Sequence, residues 1–458
     1  MKTRLMMRVV VCWCVLVPLA MAWGEDACAA DRSSSRNILF VAIDDMRDVS
    51  SYDPVVQTPN LDRVGEMSMT FDRAYVQATF CNPSRASFLT GLRPQQTGVL
   101  DNRTHFRDNV PDVITLPQLF RKSGYDTVRL GKIFHGAASM DDPESWDVAK
   151  YPQGTARGKQ GERWYPPDKR PGWCWALAAE GTEEDQADGQ IAKQAAEFLR
   201  GEREKPFFLA VGFHKPHDPF VAPKRYFDLY PRDELQLHET PACASPTPSL
   251  QIGGAWKKAF DRFSDDDRRR FLQAYYAATS FMDAQLGKVL DALEEAGLAD
   301  ETIIIVLSDH GYHLGERGWW NKATLYEYSA RSPLWMRDPG MKAAGTRYAK
   351  PVEFLDIYPT LVELAGLEPP SHLAGRSLAP LLDDPDHSRQ AVAYTVLRRG
   401  QKLLQAVRTP RWRYINLGPD GERELFDHHA DPGDWRNLAN EPQYQNTCQE
   451  LEELLRVQ

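Results

Sequence analysis

Ionisable side chains follow directly after four short apolar segments of this sequence. The segments span residues 37–43, 125–130, 207–211 and 302–307, and their length and composition are typical of buried strands in a parallel sheet. The carboxyl ends of such strands share the sheet edge where ligands bind in open α/β folds, so the four predict one site rather than separate helix caps. The residues at this edge are Asp44, Asp45, Lys132, His135, His214, Asp309 and His310.

Three of these residues are carboxylates: Asp44, Asp45 and Asp309. Gathered at one edge, they would repel one another unless a cation lay between them, and hard oxygen ligands favour calcium or magnesium. The lysine and histidines beside them are suited to neutralising an anion and transferring protons. The pattern therefore predicts a divalent-metal site with catalytic potential.

A cysteine stands at the predicted start of a helix in the segment Cys81-Asn82-Pro83-Ser84-Arg85. Pro83 is typical of the first helical position and Gly91 of a helix end. Free amides and the dipole at a helix N-terminus favour negative charge, so we expect a reactive thiol there. A structural or disulfide-bonded cysteine is the alternative for an isolated cysteine in a secreted protein.

These residues require a scaffold of alternating strands and helices. Helical periodicity over residues 190–199 and 270–296, between the apolar segments, predicts an α/β protein with a mostly parallel sheet. Residues 150–181 and 231–256 are rich in Pro, Gly and Trp, and we expect long loops that shape a pocket. Beyond a polar linker at 383–388, short β-like segments and a final helical pattern predict a small antiparallel subdomain.

The N-terminus and the net charge indicate where the protein works. Basic residues, a short apolar run and the motif Ala20-Met21-Ala22 predict a signal peptide over residues 1–22, with a retained N-terminal anchor as the alternative. Removing its three basic and no acidic residues changes the net charge from −9 to −12, which argues against a nucleic-acid partner. No segment is long enough to span a bilayer, so we expect an exported protein without stable membrane insertion.

The motif Cys81-Asn82-Pro83-Ser84-Arg85, followed by Leu89-Thr90-Gly91, resembles the signature of the type I, formylglycine-dependent sulfatase family. Further elements of the pattern occur in order along the chain, and the similarity covers most of residues 37–380. The Phe-His and His-Lys-Pro-His elements place the chain nearest to the iduronate-2-sulfatase-like branch. These elements are Asp44-Asp45, Gly131-Lys132-Ile133-Phe134-His135, His214-Lys215-Pro216-His217, Ser308-Asp309-His310-Gly311 and Lys322.

The resemblance implies an alkaline-phosphatase-like sandwich, with a large, mostly parallel mixed sheet between helices and a small C-terminal antiparallel sheet. We place the catalytic domain at residues 31–385 and the C-terminal subdomain at 386–458. The implied cofactors are one calcium ion and a formylglycine made from Cys81 by a maturation enzyme. The metal ligands would be Asp44, Asp45, Cys81, Asp309 and His310.

The resemblance also assigns roles to individual residues. Hydrated formylglycine at Cys81 would attack sulfur with one hydroxyl, and its second hydroxyl would expel sulfate by collapse to the aldehyde. Arg85 would hold the diol, and His135 would be the base for the collapse. Lys132 and Lys322 would bind the sulfate oxygens, and His214 would protonate the departing sugar oxygen.

Four further residues have two possible interpretations each. His217 lies in a matched element and is either a substrate contact or a loop-packing residue. Trp319 and Trp320 form a sugar-stacking wall or belong to the core, and core is favoured. His310 is a metal ligand or a hydrogen-bond partner of the sulfate, because nitrogen is an uncommon ligand for calcium.

The resulting hypothesis is a secreted, periplasmic or lysosomal sulfatase that acts on a sulfated sugar, with the 2-O-sulfate of a uronic acid as the implied substrate. A phosphonate or phosphodiester hydrolase of the same superfamily is one alternative. An inactive protein that binds sulfated glycans is the other, although no expected catalytic position is missing. The acidic mature charge favours a pocket for one terminal sugar over a groove for a long polyanion.

The chain contains seven cysteines, an odd number that calls for an explanation. Cys12 and Cys14 would leave with the signal peptide, and Cys81 would be modified. Cys28, Cys174, Cys243 and Cys448 remain, and four cysteines permit three pairings. We predict a disulfide between Cys174 and Cys243, because it would join the two irregular segments.

Overall fold

The computed structural model of the chain describes residues 36–48, 53–136, 138–167, 174–418 and 422–456. The predicted signal peptide over residues 1–22 lies outside these ranges, as does Cys28. Within the described ranges, no helix combines the length and the apolar character needed to cross a bilayer.

An eight-stranded mixed sheet forms the centre of the protein, and three smaller sheets accompany it. The strands in chain order are β1 (Asn37–Asp44), β2 (Met69–Phe71), β3 (Ala74–Tyr75), β4 (Asp126–Gly131), β5 (Val148–Lys150), β6 (Gly161–Trp164), β7 (Ala176–Ala179), β8 (Phe207–Pro216), β9 (Phe220–Pro223), β10 (Thr302–Ser308), β11 (Leu334–Arg337), β12 (Arg347–Tyr348), β13 (Val352–Glu353), β14 (Ala393–Arg399), β15 (Lys402–Arg408), β16 (Trp412–Asn416) and β17 (Arg423–Asp427).

The four predicted apolar segments form the adjacent central strands of the large sheet. Its order is β12-β2-β11-β10-β1-β8-β4-β5, and β10, β1, β8, β4 and β5 run parallel. Only β11 pairs antiparallel to its two neighbours within this sheet. The carboxyl ends of β1, β4, β8 and β10 therefore meet at one edge, which confirms the mostly parallel sheet expected from the sequence.

Helices cover both faces of the large sheet. The helices in chain order are α1 (Pro59–Met67), α2 (Cys81–Thr90), α3 (Pro94–Thr97), α4 (Leu116–Lys122), α5 (Ala187–Arg200), α6 (Lys224–Phe227), α7 (Gly254–Phe260), α8 (Asp265–Glu295), α9 (Glu327–Ala330), α10 (Ile357–Leu364), α11 (Ala379–Asp383) and α12 (Gln445–Arg456). The two predicted helices correspond to α5 and α8.

The alternation of side chains along β1 divides the core into two layers. Ile38 and Phe40 belong to a cluster with residues of α2, α4 and α10, whereas Leu39 and Val41 belong to a cluster with residues of α1, α5 and α8. All four of these side chains are fully buried. Burial on both faces explains why β1 is a continuous apolar run rather than an alternating pattern.

The C-terminal sheet has the order β14-β15-β16-β17 and is antiparallel throughout. Three of its strands match the predicted β-like segments, and β17 adds a fourth. Strand β14 also contacts the segment after β3, because the Val396 amide donates to the Gln77 carbonyl at 2.8 Å and the Thr395 hydroxyl donates to the Val76 carbonyl at 2.7 Å. Helix α12 packs on this sheet through Cys448, Leu451 and Leu455.

Two sequence expectations about irregular segments are wrong. The segment 150–181 is not simply a loop, since β6 and β7 pair with each other and β7 pairs in parallel with β9. Small alanines allow β7 to be buried at this position, although they carry little strand propensity. The predicted disulfide is also absent: Cys174 is a buried free thiol and Cys243 an exposed one.

Candidate active site

The predicted site residues come together where the central strands end and helix α2 begins. At Asp44 the pairing of β1 with β8 shifts register, and the Asp309 amide donates to the Ile43 carbonyl at 3.0 Å. Gly131 has a φ of +82°, and a Cβ there would lie 2.1 Å from the Gly212 carbonyl oxygen. This close approach of β4 and β8 holds the chain that leads into Lys132.

Helix α2 begins two residues earlier than Pro83 predicts. Cys81 is its first residue after Phe80, and Gly91 ends it in the left-handed region at a φ of +72°. Every residue of α2 is buried. The helix therefore points its first turn, and with it the Cys81 side chain, into the interior beside the strand ends.

Four side chains form a tight group that has the donor chemistry of a metal site. Ligand atoms of Asp45, Cys81, Asp309 and His310 all lie within 4.8 Å of one another, and all four residues are buried. The Asp45 backbone adopts the left-handed region at a φ of +66°, and its amide donates to Asp309 Oδ1 at 3.0 Å. This strained position directs the Asp45 carboxylate back toward β10.

Asp44 is adjacent to this group but is bound to cations of the protein. Its Oδ2 accepts from Lys132 Nζ at 2.6 Å, and its Oδ1 lies 3.3 Å from Arg85 Nη2. Burial disfavours the charged carboxylate, yet Lys132, His217 and Arg85 outweigh it and hold the pKa of Asp44 well below its usual range. Asp44 therefore stays ionised next to the four-residue group.

Arg85 connects several groups of the site through hydrogen bonds. Its guanidinium is fully buried and donates to Asp309 Oδ2 at 2.9 Å and to the carbonyls of Lys132 and Ile133 at 2.7 and 2.9 Å. The side chain predicted to hold the diol thus also fixes Asp309 and the segment after β4. Five donors in a rigid fork suit arginine to this bridging position.

The charges of the site balance without a metal ion. Asp44, Asp45 and Asp309 face Arg85, Lys132 and Lys322. Lys322 Nζ donates to Asp45 Oδ1 and lies 3.0 Å from Cys81 Sγ. A divalent cation bound here would leave a positive surplus, which is the condition for holding an anionic substrate.

Cys81 is surrounded by these groups. Its Sγ lies 3.4 Å from His310 Nε2 and 3.8 Å from Asp45 Oδ1. Burial raises the pKa of the Cys81 thiol, and the lysines do not offset it. Desolvation thus opposes the effect of the helix start, and the reactivity of the thiol stays a prediction.

His135 lies at the rim of the site and is held neutral. Burial, with Lys132 next in importance, lowers the pKa of His135 to about 3. Its Nδ1 is a buried nitrogen without a hydrogen-bond partner among the described residues. The neutral imidazole thus has an unused nitrogen that can accept a hydrogen bond, although its low pKa makes it a weak base.

His214 is held by two residues that the sequence reasoning missed, Asp188 and Tyr151. His214 Nδ1 lies 3.1 Å from the buried Asp188 carboxylate, which also accepts from the His214 and Lys215 amides at 2.9 and 2.8 Å. The Tyr151 hydroxyl lies 2.8 Å from His214 Nε2. Asp188 stands at the start of α5, where an acidic residue is ordinary, so nothing in the sequence singled it out.

The packing locates His217 and decides the reading of the tryptophans. His217 Nε2 lies 3.8 Å from Asp45 Oδ2, and its Nδ1 lies 3.2 Å from Asp218 Oδ1 in its own loop, so both of its readings stay open. Trp319 and Trp320 are buried in a core cluster with Phe260 and Phe271. The tryptophans are core residues, as favoured from the sequence.

A cavity of about 410 Å³ opens next to this network. That volume falls in the range of small-ligand pockets. Its lining combines residues of the predicted site with residues of the segment 150–181 and of α5. The polar lining residues include Asp44, Lys132, His135, Tyr151, Arg157, Asp188, His214, Lys215, His217 and Asp218.

With this fold and site in view, comparison with known proteins defines the class. A sequence model of the sulfatase family matches residues 36–367, and a model described as N-sulphoglucosamine sulphohydrolase, C-terminal, matches residues 315–458. The chain therefore belongs to the sulfatase family and is a sulfuric ester hydrolase, as predicted.

Two relatives show how far the likeness extends along the chain. A sulfatase of Formosa agariphila is 32% identical over 487 residues, which cover 99% of this chain and 92% of that protein. Human iduronate 2-sulfatase is 32% identical over 405 residues, which cover 78% of this chain and 74% of that protein. The predicted likeness to the iduronate-2-sulfatase branch is thus confirmed at the level of homology.

Solved structures confirm the predicted alkaline-phosphatase-like fold. An enzyme in complex with its substrate D-glucosamine-2-N,6-O-disulfate superposes with a TM-score of 0.73 at 25% identity, over 92% of this chain and 97% of that one. A phosphonate monoester hydrolase from Silicibacter pomeroyi gives a TM-score of 0.76 at 23% identity, over 92% and 94% of the two chains. The second likeness concerns the fold alone.

Proposed function

We propose that the protein hydrolyses a sulfate monoester on an acidic sugar, with the 2-O-sulfate of a uronic acid as the substrate. The observation that carries this proposal is the position of Cys81, whose Sγ lies within 3.0–3.8 Å of Lys322, His310 and Asp45. The likeness to human iduronate 2-sulfatase supports the choice of sugar. The neighbouring cavity supports action on one sugar unit rather than on a polymer interior.

The buried group of Asp45, Asp309, His310 and residue 81 fits a divalent cation, and Asp44 stands beside it as a further predicted ligand. Two or three carboxylates favour calcium over softer metals, and the imidazole of His310 is the atypical member. When bound, the ion would supply positive charge next to the ester oxygens. Calcium is our choice on ligand chemistry and on the family resemblance.

We also propose that a maturation enzyme converts Cys81 to formylglycine, since the neutral buried thiol makes a poor nucleophile. The modified residue would supply a hydrated aldehyde whose two hydroxyls serve attack and release. Modification would precede folding, because Cys81 is about 1% exposed in the folded protein. The maturation enzyme would therefore act on the unfolded chain rather than dock on the surface of the folded protein.

We assign charge stabilisation and proton transfer to side chains of the protein itself. Lys132 and Lys322 hold positive charge at the ester. Both are buried, and nearby carboxylates raise the pKa of each lysine although burial alone would lower it. His214 donates a proton from Nε2 to the departing sugar oxygen, at the position where the Tyr151 hydroxyl now bonds. Asp188 keeps the other ring proton on Nδ1, and neutral His135 accepts the hydroxyl proton.

Export is part of the proposal. The predicted signal peptide over residues 1–22 would direct the chain to the periplasm or the cell exterior, or to the lysosome in a eukaryotic cell. The catalytic domain (31–385) and the C-terminal subdomain (386–458) would remain. Sequencing the N-terminus of the secreted protein tests the cleavage site.

A two-part experiment tests the activity. Protein is produced with a formylglycine-generating enzyme, the mass of the Cys81 peptide is measured, and release is followed from 2-O-sulfated uronate, an aryl sulfate and an aryl phosphonate. We expect the mass of formylglycine and the highest kcat/KM on the sulfated uronate. An unmodified thiol together with no sulfate release would refute the proposal, and a preference for the phosphonate would favour the phosphonate hydrolase. Binding of the sulfated sugar without release by modified protein would favour the inactive glycan binder.

A further inference from the structure

The cavity beside Cys81 is lined by a cationic side chain, Arg157, that forms no hydrogen bond or ion pair among the described residues. Each of the three carboxylates that line the cavity has a cationic or ionisable nitrogen next to it. The pairs are Asp44 with Lys132, Asp188 with His214 and Asp218 with His217, at nitrogen–oxygen distances of 2.6, 3.1 and 3.2 Å. Two further cationic side chains line the same cavity, Lys215 and Arg157.

Lys215 stabilises the loop after β8 through hydrogen bonds to its backbone. Its ammonium donates to the carbonyls of His217 and Pro219 at 2.9 and 2.7 Å and forms no ion pair within the described ranges. Burial lowers the pKa of Lys215 to about 8, and the positive charge of Arg157 acts in the same direction. Lys215 therefore contributes positive potential to the cavity while its own donors are used by the backbone.

Arg157 stands on a 3-10 turn, Ala156–Gly158, whose backbone is firmly held. Ala156 is buried against β7 and β9, and the Thr155 amide donates to the Asp185 carbonyl at 2.7 Å. The Arg157 carbonyl accepts from Arg163 Nη2 at 2.9 Å. The guanidinium of Arg157 itself is exposed and makes no hydrogen bond or ion pair in the described part of the chain.

We infer that Arg157 is a specificity residue that binds a second anionic group of the sugar, its carboxylate, while the sulfate ester lies at the Lys132 end of the cavity. The planar guanidinium matches a carboxylate with two parallel hydrogen bonds. A neutral sugar would leave the Arg157 guanidinium without an anionic partner. This inference rests on the proposed function and assigns the residue that recognises the carboxylate of the acidic sugar.

A second sulfate on the same sugar would offer similar chemistry, so the experiment separates the two sources. Wild type, Arg157→Gln and Arg157→Lys are compared on four substrates: 2-O-sulfated uronate, its carboxyl-reduced analogue, N,6-O-disulfated glucosamine and its N-acetylated 6-O-monosulfate. Lys159→Gln is the matched control, because it removes a positive charge from the same segment. Lys159 pairs with Asp185 at 2.9 Å and does not line the cavity.

We expect wild type to prefer the carboxylate over its reduced analogue by about 10- to 100-fold in kcat/KM, the usual value of a charged hydrogen bond. Arg157→Gln should abolish that preference through KM, Arg157→Lys should retain part of it, and Lys159→Gln should leave it intact. One other result would overturn the carboxylate assignment in favour of a second sulfate. In that result, wild type prefers the disulfated over the monosulfated glucosamine, Arg157→Gln abolishes this preference, and wild type shows no preference for the uronate over its carboxyl-reduced analogue.

The failure of this inference is distinct from a failure of the proposed function. If modified wild type releases sulfate from the uronate and from its reduced analogue with equal kcat/KM, Arg157 has no such role and the inference is overturned. A preference that survives in Arg157→Gln overturns it equally. If modified wild type releases no sulfate from any of the four sugars, the proposed function has failed.

Discussion

The buried carboxylate of Asp188 lies 3.1 Å from Nδ1 of His214 and holds that ring with its Nε2 facing the cavity. An ionised carboxylate only accepts hydrogen bonds, so the ring proton belongs on Nδ1 and Nε2 exchanges the second proton. Asp188 also accepts two backbone amides, from His214 and Lys215, and so fixes the bend after β8. Asp188 is thus a positioning residue for a proposed acid.

Replacing Asp188 by Asn should therefore slow the reaction most where the leaving group is poorest. We expect kcat on a sugar sulfate to fall by about 100-fold, within the usual contribution of general acid catalysis, and kcat on a nitrophenyl sulfate to fall far less, because nitrophenolate leaves without a proton. Rates on both substrates and the thermal midpoint are measured. Equal losses on the two substrates would indicate a purely structural role. His214→Ala should show the same leaving-group dependence, more strongly.

Metal removal should abolish activity while the fold survives. Three cations already balance Asp44, Asp45 and Asp309, so the protein without metal has no uncompensated buried charge. Chelation followed by dialysis should leave the circular dichroism spectrum unchanged. Calcium at about 100 times its dissociation constant should then add about 3 kcal/mol to the free energy of unfolding. A thermal midpoint that calcium does not move would contradict a site in this group.

Asp309→Asn gives a second test of the same group. Asp309 belongs to the proposed metal group and also accepts from Arg85 Nε at 2.9 Å, so the variant should bind less metal and leave Arg85 with weaker anchoring. Metal content by elemental analysis is the measurement. Asp338→Asn, a carboxylate 3.4 Å from Arg36 at the start of β1, is the control and should retain the ion.

A buried network that includes the C-terminal sheet should be a major contributor to stability. Arg413 on β16 bonds to Glu327 and lies 3.1 Å from Asp434, and all three side chains are buried. Arg413→Ala should lower the free energy of unfolding by about 3–5 kcal/mol, because it leaves two buried carboxylates short of a partner. Arg411→Ala is the matched control: its ion pair with Asp427 is half exposed and should be worth less than about 1 kcal/mol. Denaturant titration of both variants decides between these values.

Glu424 on β17 should make stability depend on pH. Burial raises the pKa of Glu424 from 4.5 to about 7, although the Tyr326 hydroxyl and Gln251 amide donate to it. A carboxyl whose pKa is raised by folding stabilises the native state below its unfolded pKa and loses that contribution as pH rises through the folded value. The free energy of unfolding should therefore fall between about pH 4.5 and about pH 7. Glu424→Gln should flatten this slope, and an unchanged slope would contradict the assignment.

The outcome for Cys81 shows where sequence reasoning reaches its limit. The motif around Cys81 was enough to indicate the family, and the structure confirms that the residue begins a helix beside the strand ends. The argument from the helix start omitted burial, which raises the pKa of the Cys81 thiol because the surroundings exclude water. Desolvation is a property of the folded environment, and a local sequence does not contain it.

The sequence by itself determined the order of the four central strands β1, β4, β8 and β10 and of helices α5 and α8, the edge at which Asp44, Lys132, His214 and Asp309 gather, and the sulfatase family. Periodicity and motif spacing are local properties, so they can be read along the chain. Only the tertiary structure decided which charges pair, that Asp188 holds His214, that β6 and β7 are strands, and that Arg157 lines the cavity. These depend on contacts between residues distant in sequence, where burial and close approach set the energy of each group.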